Sequence, residues 1–289
     1  MKFIKNLKTV SCFSLISLIV FLLFSGPAAG SKFQVNPQAK SSLKLFQLQI
    51  YVTDIDKAIE FYGTHFGFEV ISRDYLPETL PMRFGNFRIV FHKVTKKTKI
   101  DYPKDAQTFL VIKVDDLSTK MADLKNKGVE LIHSEPQNAA VGIYAAFRDP
   151  FGNVHELLEE PSENPAASKP ELYAVQVNVE NMDKSVEFYC STLGLEIITR
   201  DFYPRVLPLR LGEMMIVLHK AVNIINIDYP NTAQMLINFQ VANVAEYINT
   251  LKNKKFEVIY DPAIDFPLGL YSAIKDPSGN IHALVEVRQ

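Results

Sequence analysis

Residues 44–52 alternate. Leu48, Ile50 and Val52 fall on one side of an extended chain, and Gln47, Gln49 and Tyr51 fall on the other. That pattern predicts a strand with one buried and one more polar face. Asp54 and Asp56 then offer N-caps, and Ile55, Ala58, Ile59, Tyr62 and Phe66 recur at helical spacing until Gly67 supplies a stop. Strands are expected over 68–75 and 87–94. The pattern then restarts with a strand over 108–114, a cap at Asp116 and a helix carrying Leu117, Met121 and Leu124, ended by Gly128. Strands over 129–133, 144–149 and 153–159 complete the half. The chain to Glu160 therefore reads βαβββ followed by βαβββ.

The pattern occurs twice. A shift of 127 residues lays 44–160 onto 171–287 without a gap, and 45 of the 117 positions are identical. A period this long is a tandem duplication of a whole domain, not a solenoid. The segment 161–169, PSENPAASK, is polar with two prolines and reads as a linker. Each half closes on the same turn, Asp149-Pro150-Phe151-Gly152 or Asp276-Pro277-Ser278-Gly279. Asp, Pro and Gly at these places suit a type I turn between antiparallel strands.

The chain has 289 residues, and its start differs from the rest. Lys2, Lys5 and Lys8 precede an apolar run from Val10 to Phe24, and Ala28-Ala29-Gly30 precede Ser31. This is the layout of a secretory signal over 1–30. Its apolar core is short of the roughly 20 residues that span a bilayer, so a retained anchor is the lesser alternative. Residues 31–42 read as a leader. Without the signal, 28 basic and 32 acidic side chains remain, a net of −4, with no basic stripe. An exported protein that binds no nucleic acid is expected, with membrane contact only through an uncleaved signal. Cys12 lies inside the signal and leaves Cys190 alone, which excludes an internal disulfide. Cys190 follows Phe188-Tyr189 in a helical pattern and reads as a small core residue.

Three stretches carry a resemblance: QLQIYVTDIDKAIEFYGTHFGF, VIKVDDLSTKMADLKNKGVEL and FRDPFGNVHELLE. The second half repeats them as AVQVNVENMDKSVEFYCSTLGL, NFQVANVAEYINTLKNKKFEV and IKDPSGNIHALVE. Together they resemble the vicinal oxygen chelate superfamily of glyoxalases, bleomycin-resistance proteins and extradiol dioxygenases. The resemblance implies an α+β fold of two tandem glyoxalase-like domains, 43–160 and 170–288. Each domain is a pair of βαβββ units forming a cupped mixed sheet. It also implies a divalent metal in the cup that chelates substrate oxygens. The final-strand ligand maps onto Glu156 and the first-strand ligand onto Gln47. A third position maps onto Phe109, which binds no metal, and a fourth onto Arg88 or Ile89. The same positions in the second half are Ala174, Leu236 and Ala283. A weakly held divalent metal is therefore expected in domain 1 only, with Gln47 and Glu156 facing each other on one concave surface. Glu156 would double as the catalytic group of a glyoxalase-type lyase or isomerase. Glu156 as a solvated strand residue, or as a partner of Arg83, is the plainer alternative.

Other side chains are candidates for holding a small-molecule ligand. Arg83, His92 and Tyr102 recur in both halves, as Arg210, His219 and Tyr229. Arginine, histidine and tyrosine near a cup suit an anionic or aromatic ligand. Pairs of the Arg73–Asp101 type that brace loops are the alternative. In the second half Gln176, Asn178 and Asn238 are the polar groups expected to orient a ligand. His155 and His282 are one residue from the Glu156 position and should point beneath the helices. His65 and His133 are expected at the surface. A small-molecule binding protein with a degenerate metal site heads these readings, a metal-dependent lyase follows, and an extradiol dioxygenase comes last.

Overall fold

The computed structural model describes residues 43–97, 102–103, 107–161, 169–221, 227, 229–230 and 232–288. The expected signal, the leader and most of the linker lie outside the described residues, as do Cys12, Asp101 and Asp228. Unit 1 holds β1 (Lys44–Val52), α1 (Ile55–Phe66), β2 (Glu69–Val70), β3 (Thr79–Phe84) and β4 (Phe87–Lys93). Unit 2 holds β5 (Thr108–Lys113), α2 (Leu117–Asn126), β6 (Glu130–Leu131), β7 (Gln137–Ala139), β8 (Gly142–Arg148) and β9 (Val154–Glu159). Unit 3 holds β10 (Glu171–Val179), α3 (Met182–Val186) running into a π-helical turn (Glu187–Thr192), β11 (Glu196–Ile197), β12 (Val206–Leu211) and β13 (Met214–Lys220). Unit 4 holds β14 (Met235–Gln240), α4 (Val244–Asn253), β15 (Ile264–Phe266), β16 (Gly269–Lys275) and β17 (Ile281–Val287).

Local chemistry sets these boundaries. The Asp54 carboxylate accepts from the Lys57 amide at 3.0 Å, and Asp116 accepts from Thr119 at 2.8 Å. Each cap satisfies one of the orphan N–H groups at a helix start. Gly67 ends α1 at φ +77°, the left-handed conformation that glycine adopts without a Cβ clash. Gly152 N donates to Asp149 O at 3.1 Å, closing the expected turn. Asn181 and Asn243 cap α3 and α4 in the same way. Strands expected over 68–75 and 129–133 shrink to two residues each, because most of their length lacks a sheet partner. Cys190 is partly buried against the core.

The units combine into two mixed sheets, each made from two βαβββ units, an α+β fold of the expected class, but the two units of one domain do not share a sheet as expected. Sheet I runs β15-β16-β17-β14-β1-β4-β3-β2, and sheet II runs β11-β12-β13-β10-β5-β9-β8-β6 with β7 beside β8. Sheet I thus joins units 1 and 4, and sheet II joins units 2 and 3. The partners in each sheet come from different repeats. The joints are antiparallel: β1 meets β14 with Gln47 opposite Asn238, and β10 meets β5 with Ala174 opposite Val111. Units 1 and 2 of one repeat meet through their helices instead. Phe61 and Phe66 of α1 pack on Phe147 of β8, the second pair stacked at 5.3 Å.

Alternation along the strands then builds two kinds of interior. One large core lies on the helix-bearing faces and includes Leu48, Ile50, Val52, Tyr62, Phe147, Phe188 and Phe239. Each fully buried side chain of this size contributes on the order of 1.5–3 kcal/mol. The opposite faces carry smaller clusters, one per sheet. These faces are called cup I and cup II here.

Candidate functional site

The cup of sheet II is floored by Phe109, Val111, Ala146, Val154, Leu158 and Ala174. Glu156 rises from β9 in the middle of this apolar floor, opposite Val111 and Ala146. It is 7% exposed. Its Oε1 accepts from the Tyr102 hydroxyl at 2.8 Å. Burial lifts the Glu156 carboxyl to about 7, and the Tyr102 bond opposes that rise. Burial and the adjacent carboxylate push the Tyr102 and Tyr144 phenols up. The His133 ring stands edge-on to both phenols, 5.5 Å from Tyr102 and 5.4 Å from Tyr144. Its Nδ1 accepts from the Ala146 amide at 3.1 Å. On the facing strand Gln176 Nε2 donates to Asn178 Oδ1 at 3.2 Å.

The cup of sheet I has a different lining. Tyr51, Ala233, Leu236, Ala273 and Ile281 form its floor, with Tyr229, Tyr260 and Tyr271 packed around them. Arg88, Gln47, Asn238 and Ala283 lie in one row across β4, β1, β14 and β17. The His92 ring stands edge-on to Tyr51 at 5.5 Å, and burial lowers its pKa.

This topology corrects the expected site. Gln47 and Glu156 do not share a concave surface: Gln47 lies on β1 in sheet I and Glu156 on β9 in sheet II. The reason is the strand exchange, since the first and last strands of one repeat belong to different sheets. Tyr102 joins Glu156 in cup II, while His92 joins cup I. Asn238 of the second repeat sits opposite Gln47, and Gln176 and Asn178 lie in the cup of Glu156. Arg83 is not a partner of Glu156. It lies exposed on β3, paired with Glu69. His133 is half-buried at the edge of cup II, beside Tyr102 and Tyr144. His65 is half-buried against Phe61 and Phe66.

The donor sets follow from the same exchange. At the four ligand positions that the resemblance implied, cup I offers Gln47, Leu236, Ala283 and Arg88. Cup II offers Ala174, Phe109, Glu156 and Met215. Each cup therefore has one oxygen donor where a chelate needs three or four. Among the described residues no three His, Cys, Asp or Glu side chains converge on one point. The residues present do not fit a tightly held divalent ion, which takes several donors in a fixed geometry.

His155 and His282 lie beneath the helices, as their alternation predicted, and both are fully buried. The Tyr62 hydroxyl donates to Asp149 Oδ2 at 2.8 Å and lies 2.8 Å from His155 Nε2. His155 Nδ1 accepts from Leu110 N at 3.3 Å, which leaves the ring proton on Nε2, facing Tyr62. Burial drops both imidazoles to about 3, so they stay neutral. Tyr189 repeats the contacts to Asp276 and His282 at 2.9 and 2.6 Å, but His282 Nδ1 has no hydrogen-bond partner among the described residues. The turn asparagines tie the sheets together. Asn153 Nδ2 donates to Tyr51 O at 2.9 Å, and Asn280 Nδ2 donates to Asn178 O at 2.9 Å.

Sequence reasoning missed Tyr144 and His133 in cup II, and Gln49, Tyr51 and Tyr271 in cup I. A signal existed for two of them. Tyr144 and Tyr271 are identical across the repeat and stand two residues before Ala146 and Ala273, hence on the same strand face as those floor residues.

Comparisons with known proteins agree with the fold. A family model for the glyoxalase/bleomycin resistance protein/dioxygenase superfamily matches residues 44–157 and again 172–284. A lactoylglutathione lyase of Arabidopsis thaliana is 21% identical over 173 residues, 56% of this chain and 58% of the relative. The match thus spans little more than half the length of that relative. The crystal structure of glyoxalase I from Zea mays superposes with a TM-score of 0.57 at 20% identity, covering 84% of this chain and 92% of that one. A dioxygenase-like protein of Bacillus subtilis superposes with a TM-score of 0.60 at 14% identity, covering 87% of each chain. With the family model matching both repeats nearly end to end, this chain belongs to the glyoxalase/bleomycin resistance protein/dioxygenase superfamily.

Proposed function

We propose that this chain is an exported small-molecule binding protein whose principal pocket is cup II. The observation that carries this reading is the placement of Gln47 and Glu156 in separate sheets, which leaves one oxygen donor at each set of ligand positions. A carboxyl on an apolar floor, bonded to Tyr102 and facing Gln176 and Asn178, suits recognition of one polar group on a largely apolar or aromatic molecule. Apolar contact with Phe109, Met215 and Val217 supplies affinity, and the Glu156 carboxyl reads a hydroxyl or carbonyl. A divalent ion at Glu156 would be weakly held and exchange freely. The lysine-rich, apolar start of the chain supports export, and N-terminal sequencing from the native host should begin near Ser31.

One observation favours a second reading. Glu156, buried and near neutrality, has the pKa of a general base at physiological pH. A lyase or isomerase would use it to take a proton beside a substrate carbonyl. The names of the relatives suit that reading but rest on low identity. Metal analysis together with ligand titration of wild type and Glu156→Ala separates the two. The binding reading expects no stoichiometric zinc, nickel or iron, and ligand affinity that drops with Glu156→Ala. One tightly bound metal per chain, lost with an activity in Glu156→Ala, would establish the lyase instead.

A further inference from the structure

An open cavity of about 510 Å³ lies outside both cups, between the end of α1, the end of α2 and the turn at 149–152. Phe61, Val129 and Phe151 supply its apolar walls, and Lys97 reaches it from the chain that leaves β4. No residue of either cup floor lines it. The charges around it differ in how they are met. Arg148 is held by Glu130 at 3.1 Å and by Gly152 O at 3.3 Å, and Lys127 is held by Asp123 at 2.8 Å. The Asp149 carboxylate already accepts from Tyr62 and Asn153, each at 2.8 Å. Lys97 Nζ donates to the carbonyl oxygen of Ala233 and pairs with no carboxylate among the described residues. An ammonium has three N–H donors, so one neutral acceptor leaves a buried one poorly satisfied. Burial therefore lowers the Lys97 amine to about 8, and the Asp149 charge only partly opposes that fall. At pH 7 the neutral fraction is on the order of 300-fold larger than at an ordinary lysine.

The other repeat shows how the space opens. Shifted by 127 residues, Val129 becomes Phe256, whose ring stands edge-on to Phe188, the counterpart of Phe61, at 5.0 Å. The turn before each is alike, with Gly128 at φ +78° and Lys255 at φ +62°, so Val129 leaves it in the direction of Phe256. Lys97 becomes Ile224 in the copy, and Phe151 becomes Ser278. The amine, the second phenylalanine and the smaller valine thus occur together only in the first repeat.

We propose that Lys97 is a covalent capture site for small aromatic aldehydes. The ring lies against Phe61 and Phe151, where offset and edge-on contacts are favourable. The neutral amine adds its lone pair to the carbonyl carbon, and a proton passes from nitrogen to the former carbonyl oxygen, giving a carbinolamine. The C–O bond then breaks, and the remaining N–H proton leaves with that oxygen as water. The product is an imine, with no net oxidation or reduction. The site stands apart from Glu156 and does not depend on the reading of cup II.

Reductive trapping tests this. The whole protein is exposed to benzaldehyde at pH 7 with cyanoborohydride, which reduces an imine to a stable secondary amine, and peptide mass gives the rate at each lysine. Lys97 should be labelled at least about tenfold faster than the exposed Lys57 and Lys184. Val129→Phe imports the ring that the copy carries. It should slow Lys97 at least about tenfold while Lys57 and Lys184 keep their rates, and thermal unfolding close to wild type confirms that it folds. Benzyl alcohol, which has the ring but no carbonyl, gives a check that needs no variant: in excess it should slow Lys97 and leave the exposed lysines alone. The proposal is overturned if Lys97 reacts no faster than the exposed lysines. It is equally overturned if its rate is unchanged by excess benzyl alcohol or in a folded Val129→Phe.

Discussion

The two cups share a scaffold and differ in chemistry. Across the repeat shift of 127 residues the frame is alike: Asn153 and Asn280 make the same bond to the neighbouring sheet, and Tyr62 and Tyr189 the same contacts to an aspartate and a histidine, although His155 Nδ1 accepts from Leu110 N while His282 Nδ1 has no partner among the described residues. The linings have diverged in opposite directions. Cup II keeps a carboxyl on an apolar floor, whereas cup I keeps amides, an arginine and a cluster of phenols. The difference teaches that duplication copied the frame while the exchanged pairing mixed the linings. Neither repeat owns a site, so reading one repeat as active and the other as bare misassigns half the groups in each cup.

The largest expected effect probes the shared frame. Asn153→Ala and Asn280→Ala each remove the bond to the neighbouring sheet and one to a buried aspartate. Each should lower stability by about 4 kcal/mol, from two lost bonds at buried groups. Urea unfolding should give matching losses, and a loss in only one of them would break the symmetry.

The next effect is confined to cup II. The folded pKa of Glu156 is raised by burial to about 7, above an ordinary 4.5. The stability it contributes is therefore full below pH 4.5 and is lost as pH rises through 7. The window holds on the order of 3 kcal/mol. Subtracting the stability profile of Glu156→Gln from that of wild type should reveal this slope. The Ala283→Gln profile in cup I should show no such difference.

A smaller effect separates the paired tyrosines. The Tyr102 hydroxyl favours the ionised Glu156, so Tyr102→Phe should raise the Glu156 pKa further, as read by carbon NMR of labelled glutamate. Tyr229→Phe, its counterpart in a cup with no carboxylate among the described floor residues, should leave Glu156 where it was. Smallest of all, Ala283→Glu places a carboxylate in the row of Gln47. It should give cup I a weak nickel affinity by equilibrium dialysis that wild type lacks, still short of a chelate.

Much of this was legible in the chain. The alternation from Gln47 to Val52, the Asp54 and Asp116 caps and the DPxG turns each fix a local choice, and local choices are what neighbouring residues encode. The burial of His155 followed from its parity with Glu156. What the chain did not reveal was which first strand pairs with which. The backbone edges of β5 and β14 are equally able to pair with β1, so no residue near Gln47 announces that its partner is Asn238, 191 positions away. The Gln47–Glu156 site failed on that point alone. His133 was missed because a strand-end histidine looks like surface until Tyr102 and Tyr144 close on it.

The strand exchange itself is tested most directly by engineered disulfides. In a chain with its native cysteines replaced by serine, Gln47→Cys with Asn238→Cys places two thiols at an antiparallel pair, within disulfide reach. Oxidation should form that intramolecular link quickly and completely, seen as a shift on a non-reducing gel and by peptide mass. Gln47→Cys with Glu156→Cys should form none. A ready link between positions 47 and 156, with none between 47 and 238, would show that each repeat closes its own cup and would contradict the account.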